Sequence, residues 1–373
     1  MSLADYFKAR SQHGRAFFLA SPLLALLSPV LLSLALLPLR PVAAASSDVD
    51  SDIPQEVLAE VLSRQASIAF VGERVKILFR GEDRDEESTY RQRVYHAPPD
   101  EYRVDYLDLP EGRESHFVAR GDHLYNWRSG RRVDMRERSP EETLTLVISL
   151  TYLDLLEENY RIRVAEGPEV AGRATYSIHV TGRIEGRPSI RAWVDREYGV
   201  PLKVEFYDYN GNLDLRYEYT SITFRENLPA EHFQLPEGAE LTVPSREGYY
   251  ASPEELAAKT ELETPIADRP LSGFRLTDIR HTREERTDTV QSFYSDGYAT
   301  LSIFAQRDPK DAPGGLDEPG VRNISSERRR GYAIVRGWIG DMRITMISSD
   351  LPESRLLFMF PSIRLTTESP RER

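Results

Sequence analysis

Seven histidines (His13, His96, His116, His123, His179, His232 and His281) have the widest chemical range of any residues in this 373-residue chain. Imidazoles can act as general bases or bind a metal. His116 and His123 are the closest pair and read as lying on adjacent strands, where two imidazoles could begin a zinc site. With no clustered carboxylate or third ligand beside them, they are read as rim side chains. The chain has no cysteine, which removes thiolate nucleophiles, cysteine metal sites, redox pairs and an acylated N-terminal Cys. The acidic run Glu82-Asp83-Arg84-Asp85-Glu86-Glu87 is interrupted by Arg84 and lacks the alternating spacing of a calcium loop, so it is read as a hairpin tip. Asp296, in Tyr294-Ser295-Asp296-Gly297, resembles a catalytic carboxylate only in isolation, because Asp before Gly is turn chemistry. Asn323-Ile324-Ser325 fits a glycosylation sequon and is set aside, since an exported chain without cysteine reads as bacterial. There is no H-E-x-x-H, G-x-S-x-G, P-loop or dinucleotide-binding glycine motif. No catalytic residue, metal or cofactor is therefore assigned.

Charge and leader narrow the setting. The acidic total of 60 exceeds the basic total of 48, giving a net charge of −12. Lysine occurs only at positions 8, 76, 203, 259 and 310, so the basic residues are nearly all arginines. With acid in excess, this reads as codon bias, and no nucleic-acid partner is expected. Lys8, Arg10 and Arg15 precede an uncharged run from Ala16 to Leu39, followed by Ala43-Ala44-Ala45 and Ser46-Ser47-Asp48. That order predicts a signal peptide over residues 1–45 with cleavage after Ala45, and hence export. A retained single-span anchor is the rival reading, although Pro22, Pro29 and Pro38 would kink it. Removing the leader, with its four basic residues and one acidic one, leaves a net charge of −15.

The elements that must position these residues are mostly strands. Val57, Leu58, Val61 and Leu62 predict an amphipathic helix over 54–67. Val75, Ile77 and Phe79 then alternate with Arg74, Lys76 and Arg80, predicting a strand with the apolar set buried and the cations in water. Strands are also predicted at 102–106, around Phe117, around Leu124, near Tyr160, and at 174–181, 190–195, 200–209 and 213–224. Asn210-Gly211 and Asp296-Gly297 mark the surest hairpins. Ser139-Pro140-Glu141-Glu142 and Ser252-Pro253-Glu254-Glu255 each open a helix with a capping box. Pro265, Pro270 and Ser272 predict a linker. The expected organisation is a large domain at 46–259, a linker at 260–272, a smaller domain at 273–365 and a tail at 366–373. The fold class is α+β, an antiparallel sheet curled around a helix-plugged interior, followed by a smaller antiparallel α+β domain. In the smaller domain, strands are predicted at 274–281, 289–295, 298–306, 332–339 and 343–348, with a short helix from Pro352.

The alternating positions of the large sheet supply Val75, Ile77, Phe79, Tyr102, Val104, Tyr106, Phe117, Trp193, Val204 and Phe206. An ordinary packed core is one reading of this set. The other is an open apolar cavity suited to acyl chains, where each buried methylene is worth about 0.8 kcal/mol.

Two segments carry a resemblance. Phe293-Tyr294-Ser295-Asp296-Gly297-Tyr298-Ala299-Thr300-Leu301-Ser302-Ile303-Phe304 is similar to the Y-S-D-G-L-A-x-x-S-V-F run of the RseB/MucB regulators of the envelope-stress sigma factor, with Tyr298 in place of the leucine. Gly172-Arg173-Ala174 and the run Arg191-Ala192-Trp193-Val194-Asp195-Arg196-Glu197-Tyr198-Gly199-Val200-Pro201-Leu202 resemble a segment shared with LolA-type lipoprotein carriers. Residues 84–106, with His96-Ala97-Pro98-Pro99-Asp100-Glu101-Tyr102-Arg103, look more like the lipoprotein-sorting group. The similarity spans about residues 55–365. It implies a LolA-like half-barrel closed by helices, without enzymatic activity. It further implies a protein that binds the periplasmic part of a single-span anti-sigma factor and releases it when an acyl lipid or lipoprotein signal is bound. The reciprocal weakening of the two affinities is simple linkage. A periplasmic lipoprotein or lipid carrier is the alternative, and a hydrolase using the scattered histidines and carboxylates is the third reading.

Overall fold

The computed structural model describes residues 64–80, 86–99, 101–109, 114–121, 123–137, 153–242, 246–284, 287–307, 321–329 and 331–368. The expected leader, most of the 54–67 helix, the acidic tip at 82–85 and the start of the Ser139 helix lie outside these residues. Twelve strands form the first sheet: β1 (Ala69–Arg80), β2 (Glu86–Ala97), β3 (Glu101–Tyr106), β4 (Ser115–Arg120), β5 (His123–Arg128), β6 (Arg132–Glu137), β7 (Tyr160–Val170), β8 (Arg173–Gly182), β9 (Ser189–Asp195), β10 (Pro201–Tyr207), β11 (Leu213–Arg225) and β12 (Glu240–Thr242). Their spatial order is β12-β6-β5-β4-β3-β2-β1-β11-β10-β9-β8-β7. All pairs are antiparallel except β12 with β6, which is parallel. Helix α1 (Leu153–Asn159) leads directly into β7.

Tight turns make this meander. At Asn210-Gly211 the Asp208 carboxylate accepts from the backbone N–H groups of Asn210 and Asn212, each at 2.9 Å, and Gly211 takes φ 82°. At the β9–β10 turn, Asp195 accepts from the N–H of Glu197 at 2.9 Å and of Tyr198 at 2.8 Å, and it pairs with Arg173. The Arg173 guanidinium in turn lies 4.7 Å from the Phe224 ring centroid. The Gly172-Arg173-Ala174 and Arg191–Leu202 motifs thus hold one turn together. The outer face of β2–β6 is covered by the segment around the 3₁₀ turn Ala230–Phe233, whose Phe233 is buried against Ala97, Val118, Tyr125, Trp127 and Val133.

The second sheet contains β13 (Arg246–Tyr250), β15 (Arg275–Glu284), β16 (Thr287–Ser295), β17 (Thr300–Arg307), β18 (Val321–Arg329), β19 (Tyr332–Ile339) and β20 (Met342–Ser348), in the order β13-β15-β16-β17-β20-β19-β18. Between β13 and β15 lie α2 (Pro253–Thr260) and β14 (Thr264–Ala267), and after β20 come α3 (Glu353–Met359) and β21 (Ile363–Thr366), which pairs with β14. At α2 the Ser252 hydroxyl accepts from Glu255 N and Glu255 Oε2 accepts from Ala251 N, the reciprocal cap expected of this opening. The core of the second sheet joins Leu301, Ile303, Val335, Ile344 and Met346 to Leu356, Met359 and Phe360 beneath α3. The segment expected as a linker is instead packed structure, since all four β14 residues are buried and Ala267 N donates to the Tyr294 hydroxyl at 2.9 Å. Residues 246–250, expected with the large domain, hydrogen-bond to β15 in the second sheet. Proline punctuates a chain without reporting whether a partner strand lies beside it.

Asp350, just after β20, is buried and accepts from Thr300 N and Thr300 Oγ1, both at 2.9 Å. Burial pushes its carboxyl up to about 6, against those hydrogen bonds. A folded-state pKa above the unfolded value means that folding takes up a proton. The contribution is complete below the unfolded pKa of about 3.9 and is lost as pH rises through about 6. The stability of the parent relative to Asp350→Asn should therefore grow by about 2 kcal/mol between pH 7 and pH 4. Urea unfolding of both proteins across that range tests this, and a pH-independent difference would count against it.

Candidate functional site

Strand register sorts the ten expected cavity residues onto two faces. Tyr102, Val104, Tyr106 and Phe117 share a face with Val94 through the β2–β3–β4 register, and Val204 and Phe206 share it through β10 and β11. This is the core side of the sheet, with Phe70, Leu78, Leu202, Leu215 and Tyr219. By strand register Val75, Ile77, Phe79 and Trp193 point to the opposite face, although Trp193 still packs, partly buried, against the same cluster. Val75 and Ile77 stand across from Glu218 and Arg216, and the Lys203 ammonium sits 4.7 Å from the Trp193 ring centroid. For Val75, Ile77 and Phe79 the expectation of a common face is corrected, as is the phase of β1 itself.

The reason lies in Arg74 and Lys76. Both are on the core side, 9% and 3% exposed, where the alternation had placed them in water. Arg74 Nε donates to Gln92 Oε1 at 2.8 Å, and its guanidinium lies 4.5 Å from the Tyr217 ring centroid and 5.9 Å from that of Tyr219. The Lys76 ammonium is 5.6 Å from the Tyr217 ring. A desolvated cation–π contact returns about 2 kcal/mol, so several rings together offset part of the several kcal/mol lost when an ion leaves water. The rings supply no formal charge. Burial pushes the Tyr102, Tyr217 and Tyr219 phenols up, against the pull of Arg74, so they stay neutral. Among the described residues no carboxylate pairs with Arg74 or Lys76. Sequence reasoning missed this pair because it treats every charge on an alternating strand as wet. Tyrosines in strands flanking two cations were the available signal.

Elsewhere the candidates separate. His116 and His123 are on adjacent strands but at opposite ends of the β4–β5 hairpin. His116 stacks on Trp127 with Nδ1 2.7 Å from Asp105 Oδ1. The Asp105 carboxyl is nevertheless held below its ordinary value: burial raises it, and hydrogen bonds from His116 and Arg103 outweigh that.

Asp296 occupies a different position, the seam between the two sheets. It is fully buried in the β16–β17 turn, where its Oδ1 accepts from Tyr298 N at 3.1 Å and Ala299 N at 2.8 Å. From the first sheet, the Tyr160 hydroxyl lies 3.1 Å from both carboxylate oxygens. Arg187 Nη1 is 2.8 Å from Oδ2, an ionic contact whose N–H is not aligned for a hydrogen bond. Arg187 Nη2 also donates to Ser272 O at 2.7 Å, and Asn159 Nδ2 donates to Asp296 O at 3.1 Å. Burial raises the Asp296 carboxyl above its ordinary value, opposed first by Arg187. Tyr298 inserts its ring among Tyr160, Leu156, Val180 and Ile190, meeting Tyr160 edge-on at 5.7 Å between centroids. The turn reading of Asp296 agrees with this geometry, and its second role as a joint was missed.

An open twelve-stranded sheet, antiparallel except at β12, with a tyrosine-rich core face and fastened to a second sheet through a buried carboxylate, defines a two-sheet scaffold. Residues 84–237, within the first sheet, match the MucB/RseB N-terminal domain. Over these residues the chain is similar to RseB/MucB proteins. Over 152 residues it is 32% identical to the sigma factor AlgU regulatory protein MucB of Pseudomonas aeruginosa, covering 39% of this chain and 44% of that protein. The chain thus matches less than half the length of this curated relative. The complex structure of Pseudomonas aeruginosa MucA/MucB superposes with a TM-score of 0.56 at 17% identity, covering 83% of this chain and 98% of that one. A crystal structure of MucB in complex with MucA(peri) gives 0.55 at 17% identity, covering 84% and 98%.

Proposed function

We propose that this chain is a periplasmic regulator that binds the periplasmic part of a single-span anti-sigma factor, and that the core face of its first sheet takes an acyl lipid or lipoprotein chain that controls release. The MucB likeness of residues 84–237 carries the reading. The apolar and aromatic side chains gathered by β1–β4 and β9–β11 support an acyl-binding surface. On this reading the sheet is the half-barrel expected from the sequence, residues 1–45 are the cleaved leader, and the role is non-enzymatic.

The test uses the mature chain and the periplasmic segment of a single-span anti-sigma factor from the same cell. A stoichiometric complex that dissociates on addition of acyl lipid is expected. No complex, together with transfer of bound lipoprotein to an acceptor, would mean a carrier instead. Native mass spectrometry of protein purified from its envelope should show lipid lost in Phe206→Glu and retained in Phe79→Glu, because Phe79 is on the opposite face.

A further inference from the structure

We propose that Arg74 and Lys76 form a binding site for the anionic head of an amphiphile, a carboxylate or phosphate attached to an acyl chain. The inference rests on the acyl-binding reading of the same face and adds the chemistry of the ligand's polar end. Alternate residues of one strand stand about 7 Å apart on the same face, a span that one anion can bridge with both long side chains. Arg74 and Lys76 are such neighbours, and they lie near the middle of the sheet, where β1 has a partner strand on each side.

Three observations point to an anion. Both residues are more than nine-tenths buried. Their polar neighbours are neutral: Gln92 on Arg74, and the Tyr217 ring under both cations. The contrast with the rest of the molecule is direct, because Arg187, with a buried side chain, has Asp296, and Arg173 has Asp195. Two cations of like sign on one strand also repel each other, which an anion between them would relieve. Arg supplies a planar fork of donors and Lys a point charge, a pairing suited to carboxylate or phosphate oxygens. The surrounding aromatic and aliphatic face leaves the remainder of such a ligand best made of hydrocarbon.

The experiment compares palmitate, methyl palmitate and inorganic phosphate by titration calorimetry at neutral pH, on the mature chain and on Lys76→Met. Palmitate should bind at least tenfold more tightly than its methyl ester, and Lys76→Met should reduce palmitate binding to the level of the ester while leaving the ester unchanged. Equal binding of acid and ester by the parent would overturn the anion site and leave the acyl surface standing. Loss of both would remove the acyl surface as well. Phosphate binding as tightly as palmitate in a Lys76-dependent way would overturn the amphiphile in favour of a free anion. The acid–ester comparison on the parent protein decides the matter even if the variant fails to fold.

Discussion

Asp296→Ala should destabilise the protein by about 3–5 kcal/mol, the range found when one member of a buried ion pair is removed. The substitution leaves Arg187, whose side chain is 7% exposed, without its counter-charge. It also removes the acceptor used by Tyr160 Oη and by the Tyr298 and Ala299 amides. The intact pair need not be strongly stabilising, since burial already opposes the charge on Asp296. Most of the cost is that of the orphaned arginine. The double variant Arg187→Met with Asp296→Asn should therefore recover a large part of the loss, as replaced buried pairs often do. Chemical denaturation of the three proteins measures this. A single-variant loss under about 1 kcal/mol would mean that the seam holds without its carboxylate.

Gly297→Ala should cost at least about 3 kcal/mol, combining backbone strain with a clash. Gly297 has φ 100°, and a Cβ there would lie 2.3 Å from Leu156 N and 2.5 Å from Leu156 Cα, atoms of a helix backbone that cannot rotate away. Gly211→Ala is the control. Its φ is 82° with nothing within 4 Å of the added carbon, so strain alone applies, about 1–2 kcal/mol. Amide exchange at Leu155, Leu156 and Asn159 should accelerate in the first variant and stay unchanged in the second. Equal effects of the two substitutions would remove the argument from close approach.

The parts of this fold legible in the sequence are those written locally. Asn210-Gly211 and Asp296-Gly297 marked hairpins that the structure contains, and the strand at 332–339 coincides with β19. Hairpin signals depend on a few adjacent residues, so tertiary context rarely cancels them. The phase of β1 failed for the opposite reason. Whether Arg74 and Lys76 face water depends on tyrosines brought up by β3 and β11, at sequence distances no alternation pattern reports. The same holds for Asp296: Ser295-Asp296-Gly297 announces a turn, while Arg187 and Tyr160 arrive from another sheet. The family signal divides in a related way. Motif similarity was clearest at Phe293–Phe304, yet the family match falls on residues 84–237, whose turn motifs and cover over Trp127 belong to the scaffold. Tyr298, the departure from the motif's leucine, is the side chain that crosses the seam.

The central place of β1 governs how the molecule can be assembled. Its neighbours are β2, next in sequence, and β11, whose Thr220 hydroxyl bonds to the Glu73 carbonyl across 147 residues. A growing chain that ends before residue 213 contains β1 as a bare edge, its two cations covered on one flank only. The two meanders β2–β6 and β7–β10 can form early from short-range pairings, but their union is a closure over a very long loop, the slow kind of step in β proteins. Completion of the sheet and completion of the Arg74–Tyr217–Tyr219 cluster are consequently one late event, so that an unfinished chain cannot present this surface.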